Sequence, residues 1–347
     1  MNKLKFNVRF YDINDWNAQV WNKPQKGSSP IIYFENPETS ENFFFKESHS
    51  KYPPEFWSEV IASKLGQSLG FDVLDYDIAM YQGRLGCISK QMLRSDKQEL
   101  YHGVDVLNDY LKSFTLSDKP KYSYQDIVAI AKANPFFGNL LNGFNKMILF
   151  DAFIGNGDRH LENWAFLVDY GVKIGEIIKS KSQKISFFKT ISSLFSGDAG
   201  LFFKDGDSVN PVESSRYVFS PIYDSGSCLG RELTDTRIQQ MFTDKVMFDA
   251  YLNRSKSEIR WNDIQLNHFD LVRNLFKLEV FGGSDELLIS HALYKFDENA
   301  VRELVINADC NVSALMKETY LSDVRKEFLI KLICSRAERL KTVAKNG

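Results

Sequence analysis

Two hydrophobic periods divide the chain, and the change falls near residue 93. Leu4–Tyr11, Pro30–Glu35 and Asn42–Glu47 are rich in the β-branched and aromatic residues that strands favour. Val73–Met80 and Leu85–Lys90 predict two more strands around Gln82-Gly83-Arg84. Between these groups Pro53 and Pro54 open a helix. Its stripe is Phe56, Val60, Ile61, Leu65 and Leu69, and Gly70 supplies the stop. From about residue 100 the spacing turns helical, with candidates at Val104–Phe114, Tyr124–Ala133 and Gly138–Phe153 separated by Pro and Asn breakers. Residues 235–345 predict several more helices, the last of them the charged Ser322–Lys345, and offer no chemistry. The pattern therefore predicts an α+β molecule of two lobes, a β-rich 1–93 and a mostly helical 94–347.

Composition narrows the class. A chain of 347 residues can bury a large core and is long for one compact body, which fits two lobes. The 28 Phe favour a packed interior over disorder. A formal charge of −2 gives no global case for nucleic-acid binding, so no direct contact with nucleic acid is expected. Cys87, Cys228, Cys310 and Cys334 show neither Cys-x-x-Cys pairing nor histidine spacing, so zinc and a disulfide framework are not indicated. His49, His102, His268 and His291 lack partners at ligand spacing and read as structural. No signal-peptide core precedes the first strand and no segment is long enough to span a bilayer. The expectation is a cytoplasmic protein with no stable membrane association, with export by a route lacking a readable signal left open.

The chemistry concentrates in two stretches. In 150–167 an apolar run feeds Gly155-Asn156-Gly157, then Asp158-Arg159-His160, with Asn163 five residues after Asp158. This Asp-x-x-x-x-Asn spacing serves phosphoryl transfer, the Asp accepting the nucleophile's proton and the Asn holding Mg²⁺. Taken alone, an Asp and an Asn in a glycine-rich loop are more often the residues of a turn. In 217–229 a β-type run ends in Asp224-Ser225-Gly226, in the place where protein kinases carry Asp-Phe-Gly. There the Asp binds the metal on the ATP phosphates and the Gly permits a sharp turn. Either motif alone is common; both together, in this order, favour a kinase.

The Gly-Asn-Gly-Asp-Arg-His-x-x-Asn-Trp-x-Phe run and the Ser-Pro-Ile-Tyr-Asp-Ser-Gly-Ser run resemble the HipA-type bacterial serine/threonine kinases, and among them the short forms that lack an extra N-terminal subdomain. The resemblance is strong over 145–170 and 216–230, fair over 42–93, and only a matter of helical character beyond about 235. The Asp-Arg-His-x-x-Asn element also recurs in phosphoinositide kinases. The resemblance implies a two-lobed protein-kinase-like fold that holds ATP and Mg²⁺ between its lobes. Asp158 would be the base, and Asn163 and Asp224 the metal ligands, oxygen donors as a hard cation requires. Lys46, after Phe43-Phe44-Phe45 on a strand, would hold the α/β-phosphates, with Glu59 beside the helix stripe fixing it as an ion pair. Arg159 and His160 would brace the loop. Lys26, Gly27, Ser28 and Ser29 are candidates for a loop over the phosphates. The stretch has one glycine and reads equally as a hairpin loop. A serine in this loop is an inhibitory autophosphorylation site in the family, which makes Ser28 and Ser29 candidates. Met92, in Gln91-Met92-Leu93, falls where a hinge would offer backbone groups to adenine.

The acceptor implied by the resemblance is a protein Ser or Thr, in a toxin or effector setting with an antitoxin as candidate partner. Other classes stay open: a lipid or small-molecule kinase using the same residues, a nucleotide-binding pseudokinase, and a DNA-bound regulatory complex that would need a separate DNA-binding partner. Residues 170–215 depart from the family pattern as an insertion. Its Lys173, Lys179, Lys181, Lys184 and Lys189 interleave with apolar residues, a pattern that can bind acidic lipid or nucleic acid but is more often a solvated helix packed on the lobe. Asp205-Gly206-Asp207-Ser208-Val209-Asn210 lacks the glycine and the final acid of a calcium loop.

Overall fold

A computed structural model describes residues 8–19, 31–95, 98–110, 122–133, 140–169, 216–278 and 284–346. The 22–30 loop with Lys26, Gly27, Ser28 and Ser29, and the 170–215 insertion with its basic segment, lie outside the described residues.

The β-rich lobe is one six-stranded sheet. Its strands are β1 (Phe10–Asp12), β2 (Asn17–Gln19), β3 (Ile31–Glu35), β4 (Asn42–Glu47), β5 (Tyr76–Tyr81) and β6 (Arg84–Lys90), in the order β1-β5-β6-β4-β3-β2. Only the β1–β5 pair is parallel. The centre of the sheet is β4, and its two-residue alternation sorts the lobe. Phe45 is fully buried with Ile13, Phe34, Ala79 and Ile88 in a small core on one face. Phe44 and Lys46 point to the other face, where Lys46 lies opposite Cys87 of β6 and Ile31 of β3. Covering the sheet is helix α1 (Glu55–Leu69), which ends at Gly70 in the left-handed region, φ 85°. The apolar stripe read from the sequence is too narrow for this helix. Its sides are buried too, and Glu55, Glu59 and Lys64 are as sequestered as Val60 and Leu65.

After β6 the chain runs into the helical part. The switch to helix comes slightly later than the spacing predicts. Gln98–His102 is a strand, β7, with too few apolar residues to show an alternation, and its pairing is supplied by β8 (Ala165–Asp169). With β9 (Arg216–Phe219) these form a three-stranded sheet, order β7-β8-β9. Helices α2 (Gly103–Tyr110), α3 (Tyr124–Ala133) and α4 (Leu140–Ile154) follow the predicted segments closely. The remainder comprises α5 (Asp235–Thr243), α6 (Lys245–Arg254), α7 (His268–Phe276), α8 (Ser284–Lys295), α9 (Glu298–Ile306), a 3₁₀ turn at Ala314–Thr319, and the long α10 (Asp323–Asn346). Residues of α1, α4, α7, α9 and α10 share one hydrophobic core, so the two parts are welded rather than hinged on a bare linker. Leu74 and Ile222 add a backbone tie, since Leu74 N–H donates to Ile222 O at 2.9 Å and Ile222 N–H to Asp72 O at 2.8 Å. That tie delivers the chain to Asp224. Among the described residues no helix is long and apolar enough to cross a membrane.

Candidate active site

The site forms where α4 ends and β9 is left behind. Helix α4 is apolar apart from a few polar residues, and Asp151 near its C-terminus is 1% exposed. A buried carboxylate needs a partner, and Arg159, itself fully buried, supplies one. Its Nε donates to Asp151 Oδ2 at 3.0 Å and its Nη2 to Oδ1 at 2.8 Å, a two-pronged pair. The remaining donors bind Asn163 O (2.8 Å), Tyr223 O (2.5 Å) and Ser225 Oγ (3.0 Å). Burial alone would lower the Arg159 pKa, but the charge and hydrogen bonds of Asp151 more than offset it and hold the guanidinium ionised. One side chain thus ties the end of α4 to both motif loops. Arg159 braces the loop, as its sequence context led us to expect.

Asn156 is also fully buried. Its Nδ2 donates to Asp151 Oδ1 (3.1 Å) while its Oδ1 accepts from Asp158 N (3.2 Å), which sets the backbone of Asp158. Of the two glycines flanking it only Gly155 has positive φ, 72°, and a Cβ there would sit 3.0 Å from the Arg336 guanidinium. Asp158 is half-buried, and Ser227 Oγ donates to its Oδ2 at 3.1 Å, so Oδ1 faces away from that contact. Asn163 Nδ2 donates to Asp158 O at 2.7 Å, which orients the amide and leaves its Oδ1 as the donor atom for a cation. Gly157 N–H to Ser227 O (3.4 Å) and Leu229 N–H to Ile154 O (3.2 Å) zip the two loops together.

Asp224 adopts φ 52°, unusual for a residue with a Cβ. The sharp turn of Asp224-Ser225-Gly226 is therefore made by the aspartate. Gly226 serves closeness instead, because a Cβ there would lie 2.9 Å from Glu59 Oε2 and 3.0 Å from Glu55 Cγ. The expected Lys46–Glu59 ion pair is replaced by another. Lys46 Nζ lies 2.5 Å from Asp224 Oδ1, with the two side chains 20% and 36% exposed. Glu59 turns its Oε1 to Ser225 N–H (2.7 Å), and its buried Oε2 has no hydrogen-bond partner. The lysine is drawn to Asp224 because that carboxylate has no competing donor among the described residues, whereas Glu59 is partly satisfied by the backbone.

Electrostatics follow from this arrangement. Burial raises the Glu59 pKa to about 7, with Lys46 pulling the other way and Asp224 adding to the rise. Burial also works against ionised Asp224, yet Lys46, Arg159 and His160 outweigh it and keep its pKa below the usual carboxylate value. For Lys46, burial is outweighed by Asp224 and Glu59, and its pKa is raised.

Asn163 and Asp224 would hold a divalent cation. Their donor set fits Mg²⁺, which takes oxygen ligands and is bound through one or two carboxylates together with substrate phosphates. Among the described residues no three His, Cys, Asp or Glu side chains converge as a metal cage. Met92 sits beyond β6 with Gln91 anchored by its N–H to Asn42 O (2.9 Å) and by Tyr33 Oη to its Oε1 (3.1 Å). The roles of Asp151, Asn156, Ser225 and Ser227 escaped the sequence reading. Only Asp151 carried a signal, as an acid in an apolar helix end.

No protein-family model and no curated protein sequence matches the chain. Among solved structures, the Helicobacter pylori proinflammatory kinase CtkA aligns over 97% of this chain and 97% of its own, with a TM-score of 0.68 and 18% identity. The chain has the CtkA kinase fold. HipA from the Shewanella oneidensis MR-1 toxin–antitoxin system, described with HipB and operator DNA, aligns over 99% of this chain and 75% of its own, at a TM-score of 0.49 and 12% identity. In this chain the Lys46–Asp224 contact joins β4 to the loop that follows β9.

Two outcomes test this geometry. Arg159→Met should cost about 3–5 kcal/mol of unfolding free energy in denaturant titrations, since Asp151 would be left buried and unpaired; a loss below 1 kcal/mol would mean the network is dispensable. Glu59 holds its proton more tightly folded than unfolded, so its contribution is fully present below about pH 4.5 and is lost as pH rises through about 7. In chelator-treated protein, Glu59→Gln should flatten the fall in stability over that window, and an unchanged slope would reject the assignment.

Proposed function

We propose that the protein is an ATP-dependent serine/threonine protein kinase that also phosphorylates itself. The observation that carries the reading is convergence. Lys46 and Asp224 meet at 2.5 Å although 178 residues separate them, and Asp158, Asn163 and Glu59 are tied to the same Asp224–Ser227 loop or to each other. The kinase fold supports the same reading.

In this reading Asp158 Oδ1 receives the acceptor's hydroxyl proton while Ser227 holds Oδ2 and fixes the carboxylate plane. The acceptor oxygen bonds to the γ-phosphorus as the bond from that phosphorus to the β–γ bridging oxygen breaks, and ADP leaves with the bonding pair. Lys46 would exchange Asp224 for the α/β-phosphates and reach the unpartnered Glu59 Oε2, which restores the pair expected from the sequence. Asn163 and Asp224 would hold Mg²⁺, whose chemistry is to neutralise phosphate charge. Lys26, Gly27, Ser28 and Ser29 would cover the phosphates, and the backbone at Met92 would meet the adenine.

Intact mass after incubation with Mg-ATP tests the proposal. The wild type should gain one or more phosphates, with peptide mapping examining Ser28 and Ser29. Asp158→Ala and Asp224→Ala should keep their circular dichroism and lose transfer by about 10²–10⁴-fold or more. Equal gain by Asp158→Ala would remove Asp158 from the mechanism.

A further inference from the structure

A cavity of about 600 Å³ opens on the side of Asp158 formed by the helical part, and Asp158 and Ser227 belong to its wall. Whatever fills it meets the proposed base, so it is the acceptor side of the site. Four cationic side chains line it, Arg231, Arg237, Arg254 and Lys256, against two acids, Asp158 and Glu232. This excess stands out in a chain with 43 Lys and Arg against 45 Asp and Glu. Arg231 is committed to Glu55 (2.5 Å) and stacks over Tyr52 at 4.5 Å. Glu232 accepts from Tyr251 Oη at 3.0 Å. Among the described residues, no carboxylate lies within ion-pair distance of Arg237, Arg254 or Lys256.

The backbone that carries two of these cations, Arg254 and Lys256, is tied to the loop of the base. Ser255 Oγ donates to Gly155 O at 3.1 Å, and Lys256 O is in van der Waals range of Gly157, 3.4 Å from where a Cβ would be. The segment after α6 is thereby stapled to the loop that carries Asp158. Uncompensated like charges in a concave site repel one another and are relieved by an anionic ligand. The uncompensated cations come from two separate elements, Arg237 from α5 and Arg254 and Lys256 from the end of α6 and the segment after it, so they suit several carboxylates along an extended chain better than one phosphate. Met241 and Met247 add adaptable apolar wall between them.

We propose that this cavity selects an acidic peptide segment, placing a Ser or Thr at Asp158 with Asp or Glu side chains beside it on Arg254, Lys256 and Arg237. The inference rests on Asp158 marking the acceptor side of a kinase site and deepens that reading by naming the substrate class.

Fluorescence anisotropy without ATP tests it on the full chain, using three labelled peptides with one Ser flanked by Glu, Gln or Lys. The Glu peptide should bind at least tenfold more tightly than the Gln peptide, and added salt should weaken it. In R254E/K256E, both exposed positions, the preference should fall at least tenfold and turn toward the Lys peptide; K256Q alone should give an intermediate loss. Equal binding of Glu and Gln peptides, or a preference unchanged in folded R254E/K256E, overturns the proposal. So does capture by phosphoinositide vesicles that the Glu peptide cannot displace. Because binding is read apart from transfer, a Glu preference with no phosphate gain in the mass experiment, and none on the Glu peptide with Mg-ATP, would support the acidic ligand while removing the kinase reading.

Discussion

The buried Arg159 guanidinium is the constraint on which the site depends. Taking a charge fully out of water costs several kcal/mol, and the cost is met only if every donor finds an acceptor and a counter-charge lies close. Here Asp151 supplies the charge, and the other acceptors come from two loops far apart in sequence, Asn163 O in one and Tyr223 O and Ser225 Oγ in the other. Neither loop can drift without exposing a buried donor. The network therefore fixes the relative positions of Asp158, Asn163 and Asp224, which is the preorganisation that the proposed phosphoryl transfer would use.

Above that fixed floor, the charges facing the cleft are set for exchange. Lys46 lies between two carboxylates of unequal character. Asp224 is partly exposed and held ionised, whereas Glu59 is buried, half satisfied by Ser225 N–H and pushed toward neutrality. The lysine takes the carboxylate that is easier to reach. Cationic partners for Asp224 would free Lys46, and the unpartnered Oε2 of Glu59 is the acceptor left for it. The left-handed backbone of Asp224 belongs to the same arrangement: a strained φ of 52° aims the carboxylate into the cleft while Ser225 N–H turns back to α1.

Local chemistry made part of this legible. Strand Asn42–Glu47 and helix Tyr124–Ala133 coincide with the segments read from β-propensity and helical spacing, because each is decided by its own residues. The two motif loops were readable for the same reason, since glycine and acid-amide spacing are short-range. What the pattern missed was decided at a distance. Strand β7 exists because β8 pairs with it, and α1 is buried nearly all round because a sheet and a helical core close on it from opposite sides. The choice of Lys46 between Glu59 and Asp224 turns on a backbone N–H more than 160 residues from the glutamate. No periodicity encodes such a competition. Gly226 shows how a motif can be recognised for the wrong physical reason, since it serves the approach of Glu59 and Glu55 rather than a left-handed turn.

The last helix makes the same point from the other end of the chain. As sequence, Ser322–Lys345 is a charged helical segment with no chemistry. In the fold, its Arg336 is 1% exposed, donates from Nε to Ala152 O at 2.7 Å and lies 4.9 Å from the centre of the Phe269 ring. Burial lowers its pKa to about 10, and its Nη2 has no hydrogen-bond partner, so the charge is not placed there for stability alone. Its guanidinium occupies the space that a Cβ on Gly155 would need. Arg336 therefore supports from below the loop that Arg159 ties from above. A helix that reads as inert in sequence is part of what holds the proposed base in place.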